Sequence, residues 1–136
     1  MPAAVRRELT DPKTPPDVRR WIVSPPVWIE VRAVEESSER FPVKLHDGER
    51  ESILLAEAVG ADVLLIDEQA GRTIARQRKL PVSGTLGVLE RGDTLRLVAN
   101  FGEVLEHLKT SGFFISEALQ ELLMARHHAR SKHRGR

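Results

Sequence analysis

Apolar positions along this chain recur at two spacings, and the switches between them mark out its elements. Residues 2–9 open on Pro2 and read as a short helix, closed by Thr10, Asp11 and Pro12. Thr14 followed by Pro15 has the pattern of an N-cap with proline at the first helical position, which predicts a turn or two toward Trp21 and Ile22. Ser24-Pro25-Pro26 stops that helix, because neither proline can donate to the backbone ladder. Val27-Trp28-Ile29-Glu30-Val31 then has strand composition, and residues 35–40 form a polar connector.

The clearest periodicity begins at Asp47, a plausible N-cap with Glu49 in the first turn. Ile53, Leu54, Ala56, Ala58 and Val59 make the following helix mostly buried, and Gly60 ends it. The run 62–67, Asp-Val-Leu-Leu-Ile-Asp, is apolar between acids and predicts a strand buried on both faces. Residues 68–79 return to helical spacing, with Ala70, Ile74 and Ala75 inward, and 80–83 form a second short strand before the turn at Gly84. Strand, helix, strand with short joints is a βαβ unit, which implies parallel pairing. Beyond it, 85–91 is helical, Asn100 caps a helix to about Lys109 closed by Gly112, and Ser116 opens a last helix backed by Leu119, Leu122 and Leu123. The expected class is α/β, a small parallel sheet with helices on both faces.

Composition narrows the chemistry. The 136 residues suit one domain, expected over 1–125, with 126–136 as a solvated, disordered basic tail. No cysteine is present, which removes disulfides, thiolate metal sites and a cysteine nucleophile, and fits a reducing cytoplasm. The longest apolar runs are far too short to span a bilayer, so no membrane partner is expected. The net charge of +1 hides an asymmetry: no acid follows Glu121, whereas Arg126, Arg130, Lys132, Arg134 and Arg136 do. Of these, Arg126, Arg130 and Lys132 are candidate contacts to nucleic-acid phosphates. The tail has no aromatic side chain for base stacking, and His127, His128 and His133 read as part of a basic end rather than as a metal tract.

Two carboxylates fall where ligands bind in parallel sheets. Asp67 ends the first strand of the βαβ unit, and Glu49 starts the helix that leads into that strand. A short helix-to-strand joint places both on one side of the sheet. Carboxylates gathered on one edge repel one another unless a hard cation such as Mg²⁺ or Mn²⁺ lies between them. The alternative stays open: a strand-ending Asp commonly caps the next helix, and a first-turn Glu commonly complements the helix dipole.

The segments Gly48-Glu49-Arg50-Glu51-Ser52-Ile53-Leu54-Leu55-Ala56, Ala61-Asp62-Val63-Leu64-Leu65-Ile66-Asp67-Glu68, Gly71-Arg72 and Val82-Ser83-Gly84-Thr85-Leu86-Gly87-Val88-Leu89, in that order, closely resemble the PIN-domain family. Pro2-Ala3-Ala4-Val5-Arg6-Arg7-Glu8-Leu9, the segment 21–28 and Ser111-Gly112-Phe113-Phe114-Ile115-Ser116 extend the resemblance over nearly the whole chain. It is similar to the branch near VapC-type toxins. The resemblance implies a metal-dependent endoribonuclease that holds Mg²⁺ or Mn²⁺ on acidic residues. The family's helix-borne Glu matches Glu8, its middle acid Glu49 and its strand-end acid Asp67. Glu51 and Glu68 rank as neighbouring acids. RNA is then the substrate, a small antitoxin protein the partner if the chain is a toxin, and a homodimer the expected state.

One departure qualifies the resemblance. The family opens with a strand ending in Asp, normally central in the sheet and a principal metal ligand, and this chain begins after it. The expected fold is thus an N-terminally truncated PIN-like sheet, and two explanations compete: the true start lies upstream and the enzyme is complete, or the chain is a degenerate remnant, in which case unpaired backbone edges and exposed apolar surface are expected. An alternative function follows: a catalytically inactive PIN-like remnant that binds protein or RNA without cutting.

Overall fold

The structure is a computed structural model that describes residues 1–35 and 40–133. The chain divides into two compact units, Met1–Ser83 and Gly84–Arg136, each described by itself.

The first unit begins with α1 (Ala3–Thr10) and α2 (Pro16–Val23). The cap of α2 differs from expectation by one residue: Pro15 is the N-cap and Pro16 the first helical residue. Thr14 is otherwise engaged, its hydroxyl donating to the Glu8 carbonyl at 2.8 Å. The strand expected at 27–31 does not form. Val27 and Trp28 are exposed, and the chain beyond them meets the N-terminus through the Met1 ammonium donating to the Glu30 carbonyl and an isolated parallel bridge of Pro2 and Arg32. A β-forming composition needs a neighbouring strand to be realised, and none lies beside it among the described residues. Trp21 and Trp28 tilt against each other at 6.5 Å but stay 45% and 75% exposed, so they do not anchor a core. Residues 36–39 of the expected polar connector lie outside the described residues.

The βαβ unit is present. Helix α3 (Asp47–Val59) ends on Gly60, whose φ of 61° and ψ of 50° are left-handed, as a glycine C-cap allows. Its N-cap is His46, one residue before the expected Asp47. Strand β1 (Leu64–Leu65), α4 (Gln69–Gln77) and β2 (Val82–Ser83) follow. The strands pair in parallel, Leu64 with Val82 and Leu65 with Ser83. Ile53, Ala56, Leu64, Ile66, Ile74 and Ala75 form the core that joins α3 and α4 to one face of the sheet.

The expectation that 62–67 would be buried on both faces is corrected. Leu64 and Ile66 are buried, but Val63 and Leu65 are 48% and 60% exposed. The continuous apolar run predicts double burial only when a second layer covers the other face. Among the described residues of this unit none covers Val63 and Leu65.

The second unit contains α5 (Thr85–Thr94), α6 (Phe101–Thr110) and α7 (Glu117–His133). Phe101, Leu105, Ile115 and Leu123 form its core. Leu119 and Leu122 lie outside it, 36% and 46% exposed. The tail expected to be disordered from residue 126 does not describe 126–133, which continue α7 as helix. The physical reason is a set of ion pairs and a stacked ring, described below. Residues 134–136 lie outside the described set.

Candidate functional site

Helix α3 starts with unpaired backbone N–H groups, as every helix does, and carboxylates are drawn to that end by the exposed donors and the dipole. Two of the three sequence-predicted acids meet there. Glu8, near the end of α1, accepts the Gly48 N–H on Oε1 at 3.2 Å. Glu49 reaches back to accept the His46 N–H on Oε2 at 2.9 Å. Gly48 is what lets Glu8 approach: a Cβ at this position would lie 2.5 Å from the Glu8 Oε1. The first turn of α4 closes on the same place, since a Cβ at Gly71 would lie 2.4 Å from Ile66 Cδ1 and 3.8 Å from Glu49 Cβ. Asp67 lies in the exposed loop between β1 and that turn and has a polar interaction of its own.

Glu51, ranked below these three from sequence, has a structural task. Its Oε2 accepts the Ala4 N–H at 2.9 Å, and its Oε1 lies 3.4 Å from Arg7 Nη2. Ala4 is the second residue of α1, as Gly48 is of α3. The two helices thus exchange carboxylates: Glu8 of α1 satisfies a first-turn donor of α3, and Glu51 of α3 satisfies a first-turn donor of α1. Each exchange ties the helices together as well as capping one. Truncating Glu8 or Glu51 to alanine is expected to lower stability by about 1 kcal/mol each, the usual scale of a lost cap. Urea titration checks this, and a Glu8→Ala variant as stable as the parent would remove the capping role.

The carboxylate edge was tested against the divalent ion that PIN-like sequences imply. The donors are hard oxygens, and their chemistry suits Mg²⁺ or Mn²⁺. Their arrangement does not make a three-ligand site. Glu8 and Glu49 are each engaged with a backbone N–H, and among the described residues no three Asp, Glu or His side chains are grouped to hold one ion. The structure therefore shows hard oxygen donors at this edge but no complete three-ligand group among the described residues.

The candidate nucleic-acid residues of α7 are placed differently from expectation. Arg126 Nη1 lies 3.3 Å from Glu90 Oε2, and Arg130 Nη1 lies 3.4 Å from Glu90 Oε1. Arg130 also sets Nε and Nη2 2.8 Å from Oδ2 of Asp93, which is wholly buried. His127 Nδ1 lies 3.0 Å from Asp93 Oδ1, and its ring stacks on Phe101 with centroids 5.0 Å apart and planes 4° from parallel. These close pairings answer the charge of Asp93 even where a contact is not a well-directed hydrogen bond. Burial alone would raise the Asp93 carboxyl, but its hydrogen bonds and charge interactions with His127 and Arg130 prevail and hold it below the usual carboxylate range. Lys132 remains exposed. Arg126 and Arg130 therefore neutralise Glu90 and Asp93 in this arrangement, and the phosphate contact expected of them competes with those pairs.

Asp93 and His127 are absent from the sequence-predicted site, yet a signal existed. Leu86 and Leu89 face the core of the second unit, and residue 93 continues their helical spacing onto the buried side. On α7, positions 127 and 130 likewise continue the stripe of buried Leu123.

Among the described residues, no helix is long and apolar enough to cross a membrane. No curated protein and no solved structure matches the chain. A family model described as a PIN domain matches residues 1–129, nearly the whole length, with the carboxylate edge and the βαβ unit inside the match. The chain belongs to the PIN-domain family.

Proposed function

We propose that this chain is a nuclease domain of the PIN type that acts on RNA as an endoribonuclease in the presence of Mg²⁺ or Mn²⁺. Family membership across residues 1–129 carries the reading. The gathering of Glu8 and Glu49 at one end of α3, with the first turn of α4 against Glu49, supports it. In this reading Glu8, Glu49 and Asp67 would hold the divalent ion, which would offset their charge and the charge of the scissile phosphate. The exposed Lys132, and Arg126 and Arg130 once released from Glu90 and Asp93, add salt-dependent attraction for the RNA backbone. The toxin role, with a small antitoxin covering the acidic edge, cytoplasmic action and a homodimeric state belong to the same proposal.

A second reading has its own observation. The absence of a three-carboxylate group among the described residues, with Glu8 and Glu49 serving as caps, favours a PIN-like module that binds RNA or protein without cutting. One experiment separates the two: incubation of a mixed RNA pool with Mn²⁺, comparing the parent with Asp67→Asn. Cutting by the parent that falls at least about 100-fold in the variant, the scale of a lost electrostatic stabiliser, supports the nuclease. No cutting by either, in protein shown to be folded, supports the binding module.

A further inference from the structure

Helices α1 and α3 run antiparallel where they touch, and two carboxylates set how far one is slid along the other. Glu51 Oε2 accepts the Ala4 N–H at 2.9 Å, and Glu8 Oε1 accepts the Gly48 N–H at 3.2 Å. Passing from Ala4 to Glu8 on α1 thus corresponds to passing from Glu51 back to Gly48 on α3. Ala4 and Glu8 are four residues apart and Gly48 and Glu51 three, so each pair lies on one face of its helix. Two bonds in a row along facing helices fix their axial register. A slide of one residue, about 1.5 Å, would misalign both at once.

The other fastenings of α1 serve different segments. The Ala3 N–H donates to the Arg32 carbonyl at 3.0 Å, and the Glu8 carbonyl accepts the Thr14 hydroxyl at 2.8 Å. Those bonds tie α1 to the stretches that flank α2, whereas Glu51 belongs to α3 itself. Its ion pair with Arg7 spans 3.4 Å, and the Arg7 side chain is 66% exposed. Water screens that pair, so it adds little. What Glu51 contributes is reach: an acceptor oxygen brought to the first turn of the neighbouring helix. Glu8 is exposed, and it stays at the end of α3 only while α1 keeps its register.

We infer that Glu51 is a positioning residue of the acidic edge: through the Ala4 N–H it holds α1 in the register that brings the Glu8 carboxylate to the end of α3, where Glu49 lies. Its consequence for catalysis rests on the nuclease reading, and the register itself does not. A displacement of about 1 Å at a reacting centre can cost on the order of 100-fold in rate. A residue that never touches substrate can therefore govern the rate through the group it places.

Three variants of the full chain separate reach from charge. Glu51→Ala removes the acceptor, Glu51→Asp keeps the charge but withdraws it by one methylene, and Glu51→Gln keeps the reach and an acceptor oxygen without the charge. The first readout needs no divalent ion: hydrogen exchange of the Gly48 amide, which is bonded to Glu8 and not to Glu51. It should quicken about five- to tenfold in Glu51→Ala, the scale of a lost cap, and stay within about twofold of the parent in Glu51→Gln. Glu51→Asp should follow the alanine variant and decides the matter if that variant fails to fold. The second readout is RNA cutting in Mn²⁺, where kcat should fall at least about tenfold in Glu51→Ala and Glu51→Asp at unchanged KM and recover in Glu51→Gln. Unchanged Gly48 exchange in the alanine and aspartate variants would overturn the inference. So would a glutamine variant that exchanges as fast as the alanine one, which would assign the effect to charge, or an unchanged kcat in Glu51→Ala. A parent that does not cut RNA removes the nuclease reading instead, and Gly48 exchange still decides the register.

Discussion

Replacing Asp93 with alanine is expected to cost about 3 kcal/mol and to loosen the second unit before the first. Removing one partner of a buried ion pair typically costs 3–5 kcal/mol, because the remaining charge is left uncompensated. The side chains of His127 and Arg130 are 22% and 23% exposed, so water relieves part of that loss and places the effect at the low end. The change also removes the partner that orients the His127 ring on Phe101. Hydrogen exchange reads the result site by site: amides of α5 and the second half of α7 should lose protection, while those of α3 serve as an internal reference. Equal protection in parent and variant would show that the cluster is not what holds 126–133 in the helix. The same group has a pH signature. Its folded-state carboxyl is held below the ordinary value of 3.8, so its stabilisation is fully present above that value and is lost as the pH falls through the depressed one. The stability gap between the parent and Asp93→Asn should therefore close as the pH falls below about 3.8.

Truncation of Ile53 to alanine should have the largest effect in the first unit, about 3–4 kcal/mol, from lost burial and the cavity left behind. Ile53 is fully buried at the junction of α3, α4 and β1. It sits one turn after Glu49, so a loosened α3 also frees the helix end that gathers the acids. Ile53→Val should cost only about 1 kcal/mol. Leu65→Ala, a change of similar size three positions after Asp62 on the open face, should cost little in the free chain because Leu65 is 60% exposed. Urea denaturation of the three variants checks the order. A Leu65→Ala loss as large as that of Ile53→Ala would mean that the Leu65 side chain is covered in solution.

The contrast between Ile53 and Leu65 also separates what local pattern determines from what only contacts decide. Helices α3 and α4 were legible because their apolar and small residues recur at helical spacing and their ends carry recognisable stops, Gly60 above all. The parallel pairing of β1 and β2 was legible too, since a short βα and αβ joint leaves little other choice. By contrast, Val63 and Leu65 read as doubly buried, because an apolar run shows what a residue tolerates and not whether a layer arrives to cover it. The segment 27–31 failed as a strand for the same reason: strand composition without a pairing neighbour has nowhere to place its backbone groups.

The acids divide along this line. The family's pattern put Glu8, Glu49 and Asp67 forward by position, and the short helix-to-strand joint ahead of β1 led to the expectation that Glu49 and Asp67 share one side of the sheet. That Glu8 joins Glu49 there, and that Glu51 answers it across the α1–α3 pair, depends on two helices forty residues apart in sequence lying against each other. Residues 126–133 make the same point with opposite outcome. Their charge suggested a solvated end, and only the approach of Glu90, Asp93 and Phe101 turned that charge inward and kept the helix going. The sequence by itself determined the helical and parallel-strand periods, the absence of thiol chemistry and the family. The tertiary structure decided which carboxylates cap helices, which cations are neutralised and which residues of β1 are buried, because those depend on distances between segments that no local pattern encodes.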